Sequence, residues 1–171
     1  MERKNIVTMK GDPLTLVGPA IKVGDRAPDF TVLSKELKEV SLKDFHGKVK
    51  IISVTPSLDT SVCDMQARRF NDEASQLGND VVVLNISMDL PFAISRFCTV
   101  AGIDKITVLS DHRDASFGAS YGVLIKEVRL LARAILVIDK NDTVSYLEIV
   151  PELTNPPDFA SPLAMAKRLV G

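Results

Sequence analysis

Apolar positions in this chain fall into short runs separated by turn-forming residues, and the spacing within each run sets the element it predicts. Val49-Lys50-Ile51-Ile52-Ser53-Val54 is β-branched and mostly apolar, a short buried strand, and Pro56 ends it because proline cannot donate to a sheet ladder. Beyond it, Val62, Met65, Phe70, Ala74 and Leu77 recur at roughly helical spacing up to Gly78, with Asp59, Thr60 and Ser61 as capping side chains ahead of them. Asp80 to Met88 is a second apolar run, suited to a central strand covered on both faces. Pro91 fits the first turn of a helix that continues to Ala101 and closes at Gly102. Ile106 to Leu109 predicts a third core strand, and Ala115 to Tyr121 a short helix closed by Gly122. Ala134 to Ile138 and Val144 to Ile149 flank the turn residues Asp139-Lys140-Asn141-Asp142, a hairpin signal. A last helix is expected from Asp158 to Val170, with Pro162 one turn in.

The front of the chain reads as a hairpin over residues 4–17, with Asn5 to Met9 and Leu14 to Val17 around the turn Lys10-Gly11-Asp12-Pro13. So short a hairpin must cover a larger sheet or core. Phe30 to Leu33 and Glu39 to Leu42 add two short strands, and His46, beside Gly47 in the next turn, is expected at the surface. Strand–helix–strand–helix–strand, then an antiparallel hairpin and a helix, is the order of a thioredoxin-like α/β fold. The expectation is a central mixed sheet flanked by helices, in one domain over residues 1–171, with residues 1–18 as an N-terminal hairpin extension.

Composition narrows the function classes. At 171 residues, 46% hydrophobic and 25% charged, the chain can fill one globular core. A net charge of −1, from 21 basic and 22 acidic residues, gives no reason to expect a nucleic-acid or anionic-membrane partner. Met1 to Ile6 lacks the apolar core of a signal peptide, and no run approaches the roughly 18 apolar residues of a spanning helix, so a cytoplasmic protein is expected. Cys63 and Cys98 are the two cysteines, and a permanent disulfide is not expected in a reducing compartment. Counted alone, they read equally well as two small buried hydrophobes. His46 and His112 are the only other soft ligands and have no metal-site spacing, so no metal and no cofactor are expected.

Position distinguishes Cys63. It falls in the first turn of a helix, where free N–H groups and the positive dipole end favour a thiolate. A cysteine at its ordinary pKa of about 8.5 is only ~3% thiolate at pH 7, and reaching about 6 needs about 3.4 kcal/mol. A helix terminus supplies roughly 0.3–1 kcal/mol, or ~2 when partly buried. A cation and direct hydrogen bonds must supply the rest. Arg68 and Arg69 follow on the same helix and point about 120–140° away. Arg133, just ahead of the run Ala134 to Ile138, is better placed, although from the residues alone it reads as well as a solvated charge at a strand end. Thr60 reads as a helix cap or a hydroxyl near the sulfur, and Cys98 as a reactive thiol or a packing residue on its helix face.

The stretch Pro56-Ser57-Leu58-Asp59-Thr60-Ser61-Val62-Cys63 resembles the Pro-x-x-x-Thr-x-x-Cys motif of the peroxiredoxins. Leu14 to Gly18, Ala27-Pro28-Asp29-Phe30, Asp89 to Ala93, Arg96-Phe97-Cys98 and Leu109 to Arg113 are similar to the bacterial thiol peroxidase branch of that family. So are Tyr121-Gly122-Val123, Leu131-Ala132-Arg133 and Val137-Ile138-Asp139, which carries the resemblance over nearly the whole chain. It implies that Cys63 attacks hydrogen peroxide or an organic hydroperoxide, with Thr60, Arg133 and Pro56 around the sulfur. It also implies that Cys98 resolves the sulfenic acid within one subunit, that thioredoxin reduces the disulfide, and that the protein is a homodimer. Tyr121 to Ile125 is then expected to line a site for alkyl chains or a dimer contact. Packed helix axes lie about 8–10 Å apart. A disulfide needs Cα atoms about 4.4–6.8 Å apart, so the turns around both cysteines are expected to unwind before the sulfurs meet. The rival readings are a thiol–disulfide exchange protein on the same fold, against which the absence of Cys-x-x-Cys counts, and a peroxide sensor without turnover.

Overall fold

The computed structural model describes residues 1–171. Its centre is β5 (Val49–Val54), buried at every residue. β6 (Val81–Ser87) pairs with it in parallel on one side and β9 (Ala134–Ile138) antiparallel on the other. β7 (Thr107–Ser110) extends the sheet in parallel beyond β6. β3 (Thr31–Leu33), β4 (Glu39–Ser41) and β10 (Val144–Ile149) complete seven strands in the order β10-β9-β5-β6-β7-β3-β4. The two parallel pairings run through α1 (Ser61–Ala74) and α2 (Pro91–Ala101), since parallel neighbours need a crossover. This is the mixed thioredoxin-like sheet expected from the order of elements.

Side chains alternate across β5, so Ile51 and Ile52 enter different cores. On one face, α1, α2 and α4 (Ala160–Val170) bury Ala67, Phe70, Ile94, Cys98, Leu163 and Ala166 against Val49, Ile51, Val83 and Val137. On the other face, Val7 and Leu16 of the N-terminal hairpin and Phe117 of α3 (Ser116–Ser120) pack against Ile52, Val54, Leu84 and Leu136. Pro162 is the third residue of α4, within the first turn, where no intrahelical N–H bond is lost.

The structure refines three expectations. The hairpin of β1 (Glu2–Met9) and β2 (Asp12–Val17) turns on Lys10 and Gly11, at φ of 51° and 86°, so Asp12 and Pro13 belong to the strand. Tyr121, Val123 and Ile125 are buried in the chain's own core, and Leu124–Ile125 forms a strand, β8, against β2. The segment's buried side chains face the chain's own core, and Leu124 is the half-buried one. The buried stripe of α1 is Cys63, Gln66, Ala67, Phe70 and Asn71, while Met65 is exposed. Polar residues displace an apolar one because they have inward partners: Asn71 Oδ1 accepts the backbone N–H groups of Asp104 and Lys105 at 3.1 and 2.7 Å, and Gln66 faces the site described below.

Asp111 anchors α3 by accepting N–H bonds from Phe117 and Gly118 at 3.0 and 2.8 Å. Burial pushes its carboxyl pKa up from 3.8 to about 6. A raised carboxyl pKa means the native state holds the proton more tightly than the unfolded chain. The stability this gives is full below about pH 4 and lost as pH rises through about 6. Asp111→Asn is therefore expected to gain stability relative to the parent between pH 4 and pH 7, measured as the difference in urea unfolding free energy. A difference that does not change with pH would contradict this.

Candidate active site

The loop that leaves β5 at Val54 carries Pro56 and Thr60 into α1, and Cys63 is the third residue of that helix. Thr60 has the extended backbone of an N-cap, at φ −94° and ψ 148°, yet its hydroxyl does not cap the helix. It donates to Ser57 C=O at 3.1 Å and closes the loop upon itself. Its oxygen lone pairs stay available to a donor in the adjoining pocket.

Cys63 is fully buried and free. Its Sγ accepts a hydrogen bond from Arg133 Nη2 at 3.3 Å. Arg133 immediately precedes β9, which lies beside β5, so strand pairing carries the guanidinium to the helix start. It is only 2% exposed, and it makes three further hydrogen bonds. Nε and Nη2 reach Leu153 C=O at 3.0 and 2.8 Å, and Nη1 reaches Gln66 Oε1 at 2.9 Å. Gln66 Nε2 donates onward to Ser53 Oγ of β5 at 2.7 Å. No carboxylate pairs with Arg133. A buried cation without a carboxylate partner is costly, which leaves Leu153 C=O, Gln66 Oε1 and the Cys63 sulfur to compensate it.

Arg133 also opens onto a pocket of about 510 Å³, lined with Pro56, Thr60, Val62, Leu153, Met9 and Lys10. The N-terminal hairpin thus builds one wall of the site. It is held there by β1: Thr8 N–H donates to Pro151 C=O at 2.7 Å, and Leu153 N–H to Thr8 C=O at 2.9 Å. Glu152 accepts from Thr8 Oγ1 and Gly11 N–H with one oxygen and from Thr154 with the other, and these bonds hold its carboxyl well below the usual range, at about 2.

Cys98 lies elsewhere. It sits near the end of α2, packed with Ile94 and Ile103, and its C=O accepts from the Gly102 and Ile103 N–H groups at the helix terminus. Burial pushes its thiol pKa up, with Lys35 pulling weakly the other way. Its small pocket, about 180 Å³, includes Lys35 and Ile103 but no residue of the pocket that Arg133 faces. Pro56, Thr60, Cys63 and Arg133 are therefore brought together, and Cys98 is not joined to them. Arg68 and Arg69 bond to Asp64 and Glu73 on their own helix, away from the sulfur as expected. Sequence reasoning missed Gln66, Leu153 C=O and the hairpin wall. Gln66 alone had a local signal, a polar residue one turn after Cys63 on the face that α1 buries.

A buried thiol at a helix start on a thioredoxin-like sheet, held by a guanidinium that also faces a pocket, defines a thiol-based redox protein. The family model Redoxin matches residues 22–163. Thiol peroxidase of Bacillus subtilis is 60% identical over 164 residues, which covers 96% of this chain and 98% of that one. The crystal structure of a peroxiredoxin-like protein from Aquifex aeolicus superposes with a TM-score of 0.91 at 42% identity, over 96% of this chain and 97% of that one. Thiol peroxidase from Chromobacterium violaceum shares the fold with a TM-score of 0.84 at 23% identity, over 95% of each chain. The chain belongs to the Redoxin family and, within it, to the thiol peroxidases: it is a peroxidase of the peroxiredoxin type.

Proposed function

We propose that the protein reduces hydrogen peroxide and organic hydroperoxides with Cys63 as the peroxidatic nucleophile, Cys98 as the resolving thiol and thioredoxin as the reductant. The observation that carries this reading is Arg133, a buried cation with Cys63 Sγ at 3.3 Å and no carboxylate partner. The Cys63 thiolate attacks the terminal peroxide oxygen, an S–O bond forms, the O–O bond breaks, and the leaving oxygen departs as water or alcohol with a proton. Arg133 is placed to stabilise the charge that develops on that oxygen, and the Thr60 oxygen to accept from the peroxide O–H. Pro56 restricts the loop and forms part of the pocket wall.

The Cys98 sulfur then attacks the Cys63 sulfenic acid, an S–S bond forms, the S–O bond breaks, and water leaves with the thiol proton. Cys98 is buried, and burial keeps it in the less reactive thiol form. Unwinding of α2 both brings it within reach and exposes it to ionise. A reductant that opens the disulfide places the cycle in a reducing, cytoplasmic compartment, within one domain of a homodimer. Oxidation of NADPH through thioredoxin reductase and thioredoxin upon addition of hydroperoxide tests the reading. No NADPH consumption would favour a peroxide sensor, and consumption with disulfide substrates alone would favour a thiol–disulfide exchange protein.

Arg133→Ala is expected to slow Cys63 oxidation by roughly 10–100-fold, the effect of losing one charge-assisted hydrogen bond of about 1.5–3 kcal/mol. It also strands Leu153 C=O and Gln66 Oε1, so it is expected to lower stability by about 1–3 kcal/mol. Arg133→Lys keeps the charge but not the fork, and is expected to fall between. Single-turnover thiol oxidation together with urea unfolding separates the two losses; an oxidation rate equal to the parent's would reject the role of Arg133.

A further inference from the structure

The two cysteine-bearing segments meet at one carboxylate that the mechanism above does not use. Asp89 lies between β6 and α2, two residues before Pro91 opens the Cys98 helix. Its Oδ1 accepts from Ser57 Oγ at 3.0 Å. Its Oδ2 accepts from the Leu58 backbone N–H at 2.8 Å and from Ser87 Oγ at 2.8 Å. Ser110 Oγ donates to its backbone C=O. Ser57 and Leu58 belong to the loop that leads into Cys63, and Ser57 C=O is the acceptor of the Thr60 hydroxyl. The Leu58 side chain is buried in the same apolar cluster as Ile94 and Cys98. One carboxylate thus joins the Cys63 loop to the entry of the Cys98 helix.

We propose that Asp89 is the positioning residue that holds the Cys63 loop in its peroxide-reactive form, and the catch that opens before Cys98 reaches Cys63. The two chemical steps make opposite demands upon it. Attack on peroxide needs Thr60 and Cys63 held at the Arg133 pocket, which the Ser57 and Leu58 bonds enforce. Disulfide formation needs the same loop and the α2 entry to separate from their folded positions. Loss of the Asp89 acceptors therefore slows the first step and spares or speeds the second, a split that general damage to the fold does not produce. This rests on the reading of Cys63 and Cys98 as the redox pair.

The test mixes reduced protein with one equivalent of hydrogen peroxide, quenches with acid and a thiol-alkylating reagent, and follows thiol, sulfenic acid and disulfide by mass. Asp89→Ala is expected to lower the rate of Cys63 oxidation about tenfold or more, the usual consequence of removing hydrogen bonds to a charged acceptor. Asp89→Asn and Ser57→Ala, which leave part of the network, are expected to lower it less. Disulfide closure proceeds at least as fast as in the parent, and excess peroxide yields less sulfinic acid. Both steps slowed by the same factor, or Cys63 oxidation at the parent's rate, would overturn the proposal. Should Asp89→Ala fail to fold, amide exchange on the unaltered protein decides: Leu58 N–H is protected when reduced and loses protection in the disulfide form, and protection in both states overturns the catch. If the unaltered protein forms no Cys63–Cys98 disulfide, the redox-pair reading itself fails, visible before any variant is made, and the catch falls with it.

Discussion

Cys63→Ser is expected to abolish peroxidase turnover, by on the order of a thousandfold or more, because the nucleophile itself is removed. Serine is smaller than cysteine, so it enters the buried position without overpacking and its oxygen can still accept from Arg133, and the fold is expected to persist within about 1 kcal/mol. A hydroxyl is not ionised there and is a poor nucleophile towards an O–O bond. Arg133 then meets a hydroxyl in place of the sulfur. Activity in the thioredoxin-coupled assay, paired with urea unfolding, checks both halves. More than a tenth of the parent's turnover would place the reacting sulfur elsewhere.

Cys98→Ser is expected to fail at a different point. Cys98 shares no pocket with Pro56, Thr60 and Arg133, so peroxide reduction is expected to stay intact and one hydroperoxide per chain is consumed at the parent's rate. The sulfenic acid then has no partner thiol in the chain, and steady turnover with thioredoxin is expected to fall by about a hundredfold or more. The persistent sulfenic acid is open to a second peroxide, so sulfinic acid accumulates faster than in the parent. Normal cycling of Cys98→Ser would mean that another thiol resolves Cys63.

The sheet was legible where burial and period agreed. β5, β9 and β10 begin and end where their apolar runs do, and α2 is bounded by Pro91 and Gly102, residues whose backbone limits act locally. Lys50 was not legible. It sits in a strand that reads as apolar and is fully buried because Asp142 meets its Nζ at 2.5 Å, a partner far along the chain. His46 is at the surface as expected, with its Nδ1 3.3 Å from the same Asp142.

The face of α1 was misread for a related reason. A hydrophobic count selects Met65 over Gln66, whereas burial follows the hydrogen bonds that Ser53 and Arg133 offer to Gln66. At the site, Pro56, Thr60, Cys63 and Arg133 were found through a motif and a resemblance, and three of them share one loop and helix start. Leu153 C=O, Met9 and Lys10 belong to the site through strand pairing across the length of the chain, which leaves no pattern near any one of them.

The most direct measurement adds one equivalent of an organic hydroperoxide to the reduced protein, quantifies the alcohol released, and maps the cysteines by mass under non-reducing conditions. The expected result is one alcohol per chain, a Cys63–Cys98 disulfide within the same chain, and no alkylatable thiol. Hydroperoxide consumed while Cys63 remains fully alkylatable, or alcohol formed with Cys98 oxidised and Cys63 untouched, would contradict the mechanism at its first step.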